Sequence, residues 1–126
     1  MKPQILLDSN IIIYSTNTEY RFVREQLKQF ELSSSKISIM EVLGFHKLDP
    51  LEKVEYELFF NHIKLYDITD PIIQQATKLR QTKKMSLGDA IISATAIVHR
   101  LPLMTRNSRD FEWIDDLTLI NPFDKA

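Results

Sequence analysis

Four acidic residues stand where apolar segments of the chain begin or end. Asp8 divides the two apolar runs of LLDSNIIIYS, and Glu41 follows the segment ISIM. Asp89 begins the segment DAIISATAIV, and Asp110 closes NSRD. A carboxylate in apolar surroundings is costly unless it is paired or holds a metal ion. These acids are therefore the residues whose type and position could support chemistry.

Each acid also has a structural explanation. Asp8 could cap the helix that follows it. The other three acids each close a capping-box pattern, which begins at Ser38, Ser86 or Asn107. No single acid therefore establishes a site.

A bound cation would account for the acids as a set, if the fold brings them together. Three or four neighbouring carboxylates repel one another unless cations neutralise them. Oxygen ligands without His or Cys suit Mg²⁺ or Mn²⁺. Such an ion activates water and stabilises charge during phosphodiester cleavage, and phosphate oxygens can fill its remaining coordination positions. The set therefore predicts metal-assisted cleavage of a phosphodiester.

The elements that would position these acids alternate along the chain. Apolar runs predict strands at 4–7, 37–39, 64–68, 101–105 and 117–121, and helical periodicity predicts helices at 19–31, 40–48, 51–63, 70–84 and 86–100. SSSK at 33–36 is interpreted as a polar break, and Val54, Leu58 and Ile63 as the apolar side of their helix. Alternating strands and helices predict a parallel sheet covered on both faces. Acids that follow its strands would then converge at one edge.

The composition narrows the classes of function. The 126 residues suit one domain, and a net charge of -1 argues against a generally basic nucleic-acid binder. Cysteine is absent, and the two glycines cannot form a glycine-rich phosphate loop. Neither a signal peptide nor a membrane span is visible, so we expect a cytoplasmic protein that does not contact a membrane.

The histidines and basic residues give weaker evidence for a functional site than the acids do. His46, His62 and His99 lack the spacing of a zinc pair and are interpreted as surface or boundary residues. The basic residues before Asp89 are interpreted as a solvated helix face; they are Lys78, Arg80, Lys83 and Lys84. Arg106 and Arg109 flank the loop that carries Asp110 and could hold substrate phosphates.

Three segments together resemble a known family. LLDSNIIIY, SIMEVLGF and SLGDAIISATAIVHRLPLMTRNSRDFEWI are similar, in order and spacing, to PIN-domain ribonucleases of the VapC toxin type. The resemblance covers nearly the whole chain, and its most specific part runs from Gly88 to Phe111. It implies a PIN-like three-layer α/β/α fold with a central, mostly parallel five-stranded sheet.

The resemblance also implies roles for particular residues. Asp8, Glu41 and Asp89 would bind Mg²⁺ or Mn²⁺, and Asn10 and Thr105 would bracket the metal site through hydrogen bonds. Asn107 occupies a position that is aspartate in some members, so either Asp110 or a water held by Asn107 would complete the metal site. The catalytic acids implied by the resemblance are Asp8, Glu41, Asp89 and Asp110. Water activated by the metal would attack the phosphate and leave a 5′-phosphate and a 3′-hydroxyl.

Partners follow from the same resemblance. It implies an RNA substrate (tRNA, rRNA or mRNA), a homodimer, and an antitoxin whose C-terminal segment lies across the active-site groove. Two alternatives stay open: a catalytically silent PIN-like interaction module, and a receiver-like signalling domain. A receiver domain needs an acidic pair after its first strand and a lysine before the proline after its last strand, where this chain has Asp-Ser-Asn and Asn121.

Overall fold

Five parallel strands form the centre of the molecule. A computed structural model describes residues 1–124. The strands are β1 (Gln4–Leu7), β2 (Glu31–Ser35), β3 (Lys64–Tyr66), β4 (Leu103–Met104) and β5 (Leu119–Ile120). Their spatial order is β3-β2-β1-β4-β5, and every pairing is parallel. The predicted five-stranded sheet is confirmed.

Helices cover both faces of this sheet. They are α1 (Ser9–Ser15), α2 (Arg21–Leu27), α3 (Ile37–Leu43), α4 (Pro50–Asn61), α5 (Asp70–Thr82) and α6 (Leu87–His99), with short 3₁₀ turns at Thr18–Tyr20 and Ser108–Asp110. Side chains of β1 alternate between two cores, because Ile5 and Leu7 pack with α1, α2 and α4, whereas Leu6 packs with α5 and α6. The predicted three-layer α/β/α architecture is confirmed.

The direction of the chain reverses once across the sheet. It proceeds outwards from β1 through β2 to β3, and the crossover through α5 and α6 then returns it to β4 on the other side of β1. Right-handed crossovers require helices on opposite faces before and after such a reversal, as observed. The reversal leaves a crevice at the carboxyl ends of β1 and β4, where ligands bind in open α/β sheets.

The second strand lies earlier than the sequence predicts. Residues 33–35, interpreted as part of a polar break, belong to β2, and residues 37–39, predicted as a strand, begin α3. Ser33, Ser34 and Ser35 are buried in the sheet, and the hydroxyl of Ser33 donates to the carbonyl oxygen of Ile5 over 2.7 Å. A strand of buried, hydrogen-bonded serines has no hydrophobic pattern by which to recognise it.

Two helical predictions are also corrected. The predicted helix 19–31 is a 3₁₀ turn followed by α2, which ends at Leu27. In α4 the buried side chains are Tyr56 and Phe60, whereas Val54 and Leu58, predicted on the apolar side, are each 54% exposed. Among residues 1–124, no helix combines the length and the apolar character that crossing a membrane requires.

Candidate active site

Asp8 lies in the crevice between β1 and β4. Its backbone N–H donates to the carbonyl oxygen of Met104 over 2.9 Å, which fixes the end of β1 against β4. Its Oδ1 accepts from the backbone N–H of Ser9, and its Oδ2 accepts from the hydroxyl of Thr105, both over 2.7 Å. Asp8 is only 6% exposed and Thr105 is fully buried. The carboxylate is therefore held from both sides at the rim of the sheet.

Glu41 reaches the same region from α3. Its Oε1 accepts from the hydroxyl of Ser9 over 2.6 Å, and that hydroxyl also lies 2.8 Å from the hydroxyl oxygen of Ser38. The backbone of Gly88 faces the Glu41 carboxylate so closely that a Cβ at this position would lie 2.3 Å from Oε2. Glu41 thus lies between the residue after Asp8 and the residue before Asp89.

Asp89 stands in the first turn of α6. The hydroxyl of Ser86 accepts from the backbone N–H of Asp89 over 3.1 Å, and the hydroxyl of Ser93 donates to the Asp89 carbonyl oxygen over 2.7 Å. The predicted cap at Ser86 is therefore correct. Asp89 is half-buried, and this anchoring holds it beside the crevice at the N-terminus of the helix.

The acids influence one another electrostatically. Burial, together with the charges of Asp89 and Glu41, raises the pKa of Asp8 to about 6, against the opposing hydrogen bonds from Thr105 and Ser9. Burial also raises the pKa of Asp89, and the negative charges of Asp110 and Glu41 act in the same direction, against the hydrogen bond with Ser86. The structure therefore brings all four predicted acids into one negative region.

This region offers the ligands that a hard divalent cation takes. Within residues 1–124, no three His, Cys, Asp or Glu side chains are close enough together to hold an ion by themselves. Mg²⁺ does not require such a cage, because it is usually held by one or two carboxylates, several waters and substrate phosphates. One or two carboxylates from among Asp8, Glu41 and Asp89, with waters, have the chemistry that an ion of this kind takes.

The remaining candidates lie on the loop after β4. The hydroxyl of Thr105 accepts from the backbone N–H of Asn107 over 3.1 Å, and the side-chain oxygen of Asn10 accepts from the backbone N–H of Arg106 at 3.5 Å. The side chains of Asn107 and Asp110 are exposed at the rim. The Asn10 contact joins the loop to the start of α1, and the hydroxyl of Thr105 joins it to Asp8.

Comparison with known proteins places these observations in a family. The sequence matches the family model described as PIN domain over residues 5–117. The chain belongs to the PIN domain family. This confirms the resemblance found in the sequence and excludes the receiver-like alternative. No curated protein matches this PIN domain significantly.

Solved structures agree with the family. A chain of a toxin–antitoxin complex from Klebsiella pneumoniae is 30% identical, with a TM-score of 0.80, and the match covers 97% of this PIN domain and 100% of that chain. VapBC2 from Rickettsia felis bound to a promoter DNA fragment is 21% identical (TM-score 0.80; coverage 93% and 97%). VapBC-1 from nontypeable Haemophilus influenzae is 22% identical (TM-score 0.80; coverage 95% and 98%). The last two matches support the fold alone.

Two of the structural explanations for the acids are wrong in this PIN domain. The N-cap of α3 is Lys36, without a side-chain capping bond, and Ser38 instead contacts Ser9 inside the site. Asn107 precedes a 3₁₀ turn and makes no side-chain cap. Asp8 does cap α1 through the N–H of Ser9, so its capping and its candidate ligand role coexist in one side chain.

The two candidate arginines have different surroundings. The guanidinium carbon of Arg106 lies 4.3 Å from the centre of the Phe123 ring and 4.9 Å from that of Tyr14. Arg109 instead lines a cavity beside Asp89, together with two exposed lysines of the predicted solvated face, Lys83 and Lys84. The structure therefore distinguishes an arginine stacked on aromatic rings from one beside the acids.

Some residues of the site were missed in the sequence. Ser9 and Ser38 connect Asp8 to Glu41, and Trp113 lines the cavity beside Asp89. The position of Ser9, a small polar residue directly after Asp8, could have suggested a role in the site, but residue type alone does not indicate its hydrogen-bond partners. The three histidines are exposed, as predicted, and His99 stacks on Tyr66 with the ring centres 4.1 Å apart.

Proposed function

We propose that this PIN domain is a metal-dependent endoribonuclease. The observation that carries the proposal is the convergence of three acids, Asp8 from β1, Glu41 from α3 and Asp89 from α6, at the crevice between β1 and β4. Structural reasons alone do not explain this arrangement, because burial and mutual repulsion make the charged forms of Asp8 and Asp89 unfavourable. Affinity for a divalent cation would offset this cost.

Asp8, Glu41 and Asp89 would hold Mg²⁺ or Mn²⁺, with Asp110 or a water on Asn107 completing the set. Such a cation, when bound, supplies positive charge for the scissile phosphate and lowers the pKa of water. Thr105 orients the Asp8 carboxylate through one oxygen, and the backbone N–H of Ser9 holds the other. Ser9 donates one hydrogen bond to the exposed Glu41 carboxylate, and Asn10 ties the loop after β4 to α1.

The biological setting extends the proposal. The chain that is 30% identical belongs to a toxin–antitoxin complex, which supports a toxin silenced by a cognate antitoxin for this PIN domain. We further propose a homodimer in the cytoplasm, built from one domain over residues 1–126, with tRNA, rRNA or mRNA as its substrate. Phosphodiester hydrolysis would leave a 5′-phosphate and a 3′-hydroxyl.

Cleavage of total RNA tests this proposal directly. The purified protein should make discrete cuts with Mg²⁺ or Mn²⁺ and none with EDTA, and the fragment ends should carry the expected groups. Asp8→Asn should abolish the cuts. Asp67→Asn is the matched control, because Asp67 follows β3 at the sheet edge and pairs with Lys36 outside the site. Absence of cleavage by a folded wild type with either metal would favour the silent interaction module.

A further inference from the structure

A cavity of about 530 Å³ opens beside Asp89. It lies between the connection from α5 to α6 and the 3₁₀ turn that follows β4. Its size falls within the roughly 300–1,000 Å³ range of small-ligand sites. The residues that give it chemical character are Lys83, Lys84, Asp89, Arg109, Asp110 and Trp113.

The charges of this cavity differ from those of the whole chain. Three cations, Lys83, Lys84 and Arg109, line it together with two acids, whereas the chain as a whole carries -1. The acids belong to the candidate active site, and the cations line the same cavity beside them. A strand whose phosphate reached the acids would therefore meet positive charge at the neighbouring nucleotide.

Trp113 provides a fixed aromatic surface in the same cavity. Its indole N–H donates to the carbonyl oxygen of Asp110 over 3.0 Å, and the ring is half-buried against the α5–α6 core. The ammonium of Lys83 lies 5.6 Å from the ring centre. An exposed lysine side chain thus lies over the ring, in a position that an incoming flat ring can take.

We propose that this cavity binds one unpaired nucleotide of RNA next to the scissile phosphate. The base stacks on Trp113 in place of the Lys83 ammonium, and Lys84 and Arg109 bind the adjoining phosphate. The proposal rests on the proposed function in taking RNA as the polymer and in placing the cut at the neighbouring acids. Bases in a duplex do not expose their faces to a side chain, so the occupant is single-stranded. Stacking is tolerant of base identity, so the site distinguishes unpaired from paired RNA rather than one base sequence from another.

The fluorescence of Trp113 tests this inference without any cleavage. Trp113 is the only tryptophan in the chain, so a change in tryptophan emission reports on this ring alone. A short single-stranded RNA, added to Asp8→Asn in EDTA, should quench the emission in a saturable manner. Heparin, a polyanion without bases, and a duplex RNA of equal length should leave it nearly unchanged. Equal quenching by heparin or duplex would overturn the proposal.

Variants measured with a labelled RNA separate stacking from charge. Trp113→Ala should weaken RNA binding roughly tenfold, while Trp113→Phe retains most of the affinity because it keeps an aromatic face. Lys84→Gln should reduce the salt dependence of binding, whereas Lys53→Gln, on the exposed surface of α4, should not. Equal affinity of Trp113→Ala and wild type would also overturn the proposal.

An abasic site placed at successive positions of the RNA locates the stacked base. Quenching should disappear at one position, next to the bond that the wild type cuts. Quenching that survives at every position would contradict a single stacked nucleotide. The two proposals fail separately: RNA cleavage without quenching refutes the nucleotide site alone, whereas quenching without cleavage by the wild type refutes the ribonuclease alone.

Discussion

The hydroxyl of Thr105 donates to the carboxylate of Asp8 over 2.7 Å, although the two residues are 97 positions apart in the chain. The same hydroxyl accepts from the backbone N–H of Asn107. One buried side chain therefore sets both the orientation of a candidate ligand and the course of the loop after β4.

Replacement of Thr105 by valine should destabilise the protein and raise the pKa of Asp8 beyond about 6, because the Thr105 hydrogen bond favours the charged carboxylate. The N–H of Asn107 also loses its acceptor, so the expected loss is about 1–3 kcal/mol in the free energy of unfolding. Urea denaturation and an NMR titration of the Asp8 carboxyl, without metal, measure the two effects. Thr105→Ser keeps the hydroxyl and should stay close to wild type; an unchanged Asp8 pKa in the valine variant would contradict this role.

Asp8→Asn should be more stable than wild type at pH 8 in the absence of metal. A carboxyl with a pKa of about 6 in the folded protein and 3.8 in the unfolded chain binds its proton more tightly when folded. This carboxyl stabilises the folded protein below pH 4, and the stabilisation is lost as the pH rises through 6. The loss in the free energy of unfolding is about 3 kcal/mol. The variant lacks this loss, although its amide cannot accept both hydrogen bonds, so the gain should be smaller.

Denaturation of both proteins from pH 4 to pH 8 checks the sign. The difference in unfolding free energy should shift in favour of Asp8→Asn as the pH rises. A constant difference across this range would show that Asp8 has an ordinary pKa. Added Mg²⁺ should then stabilise the wild type at pH 8 and leave the variant unaffected.

Gly88→Ala should impair cleavage without unfolding the protein. The new methyl group would overlap the Glu41 carboxylate, which is the movable end of an exposed side chain. Alanine also favours the helix by up to about 1 kcal/mol. We therefore expect lower activity at fixed Mg²⁺ with an unchanged or higher melting temperature.

A double-mutant cycle identifies the cause of that impairment. In a Glu41→Ala background, Gly88→Ala should not lower the residual cleavage activity further, because the carboxylate that it would displace is already absent. Additive losses from the two substitutions would show that Gly88 acts through another partner.

Arg109→Ala should weaken RNA binding and flatten its salt dependence by about 0.7 in the slope of log affinity against log salt, the value for one phosphate contact on a single strand. Arg106→Ala should instead lower the melting temperature, because its guanidinium packs on Tyr14 and Phe123. Binding at several salt concentrations and thermal denaturation of both variants separate the roles. If Arg109→Ala leaves the slope unchanged, Arg109 lies off the substrate path.

The sequence predicted the α/β architecture because alternating apolar strands and amphipathic helices leave a direct pattern. It failed at β2, where buried serines satisfy their hydroxyls within the sheet. It also misplaced the buried face of α4, because Val54 and Leu58 are apolar yet exposed, while Tyr56 and Phe60 form the buried stripe.

The candidate acids were identifiable by type and position, but their connections were not. The link from Asp8 through Ser9 to Glu41 depends on α3 lying beside α1, a relationship that the two local sequences do not contain. The cavity at Trp113 likewise depends on residues of the α5–α6 connection meeting the turn after β4. Local patterns indicate the elements, whereas long-range packing determines which side chains meet.

The hydrogen bond between Asp8 and Thr105 also bears on how the protein is made. Chains emerge from the ribosome N-terminus first, so Asp8, Glu41 and Asp89 are all synthesised before β4. Without β4, Asp8 lacks the Met104 carbonyl that anchors its backbone and the Thr105 hydroxyl that anchors its carboxylate. The proposed ribonuclease site would thus stay incomplete in the nascent chain until that late strand docks.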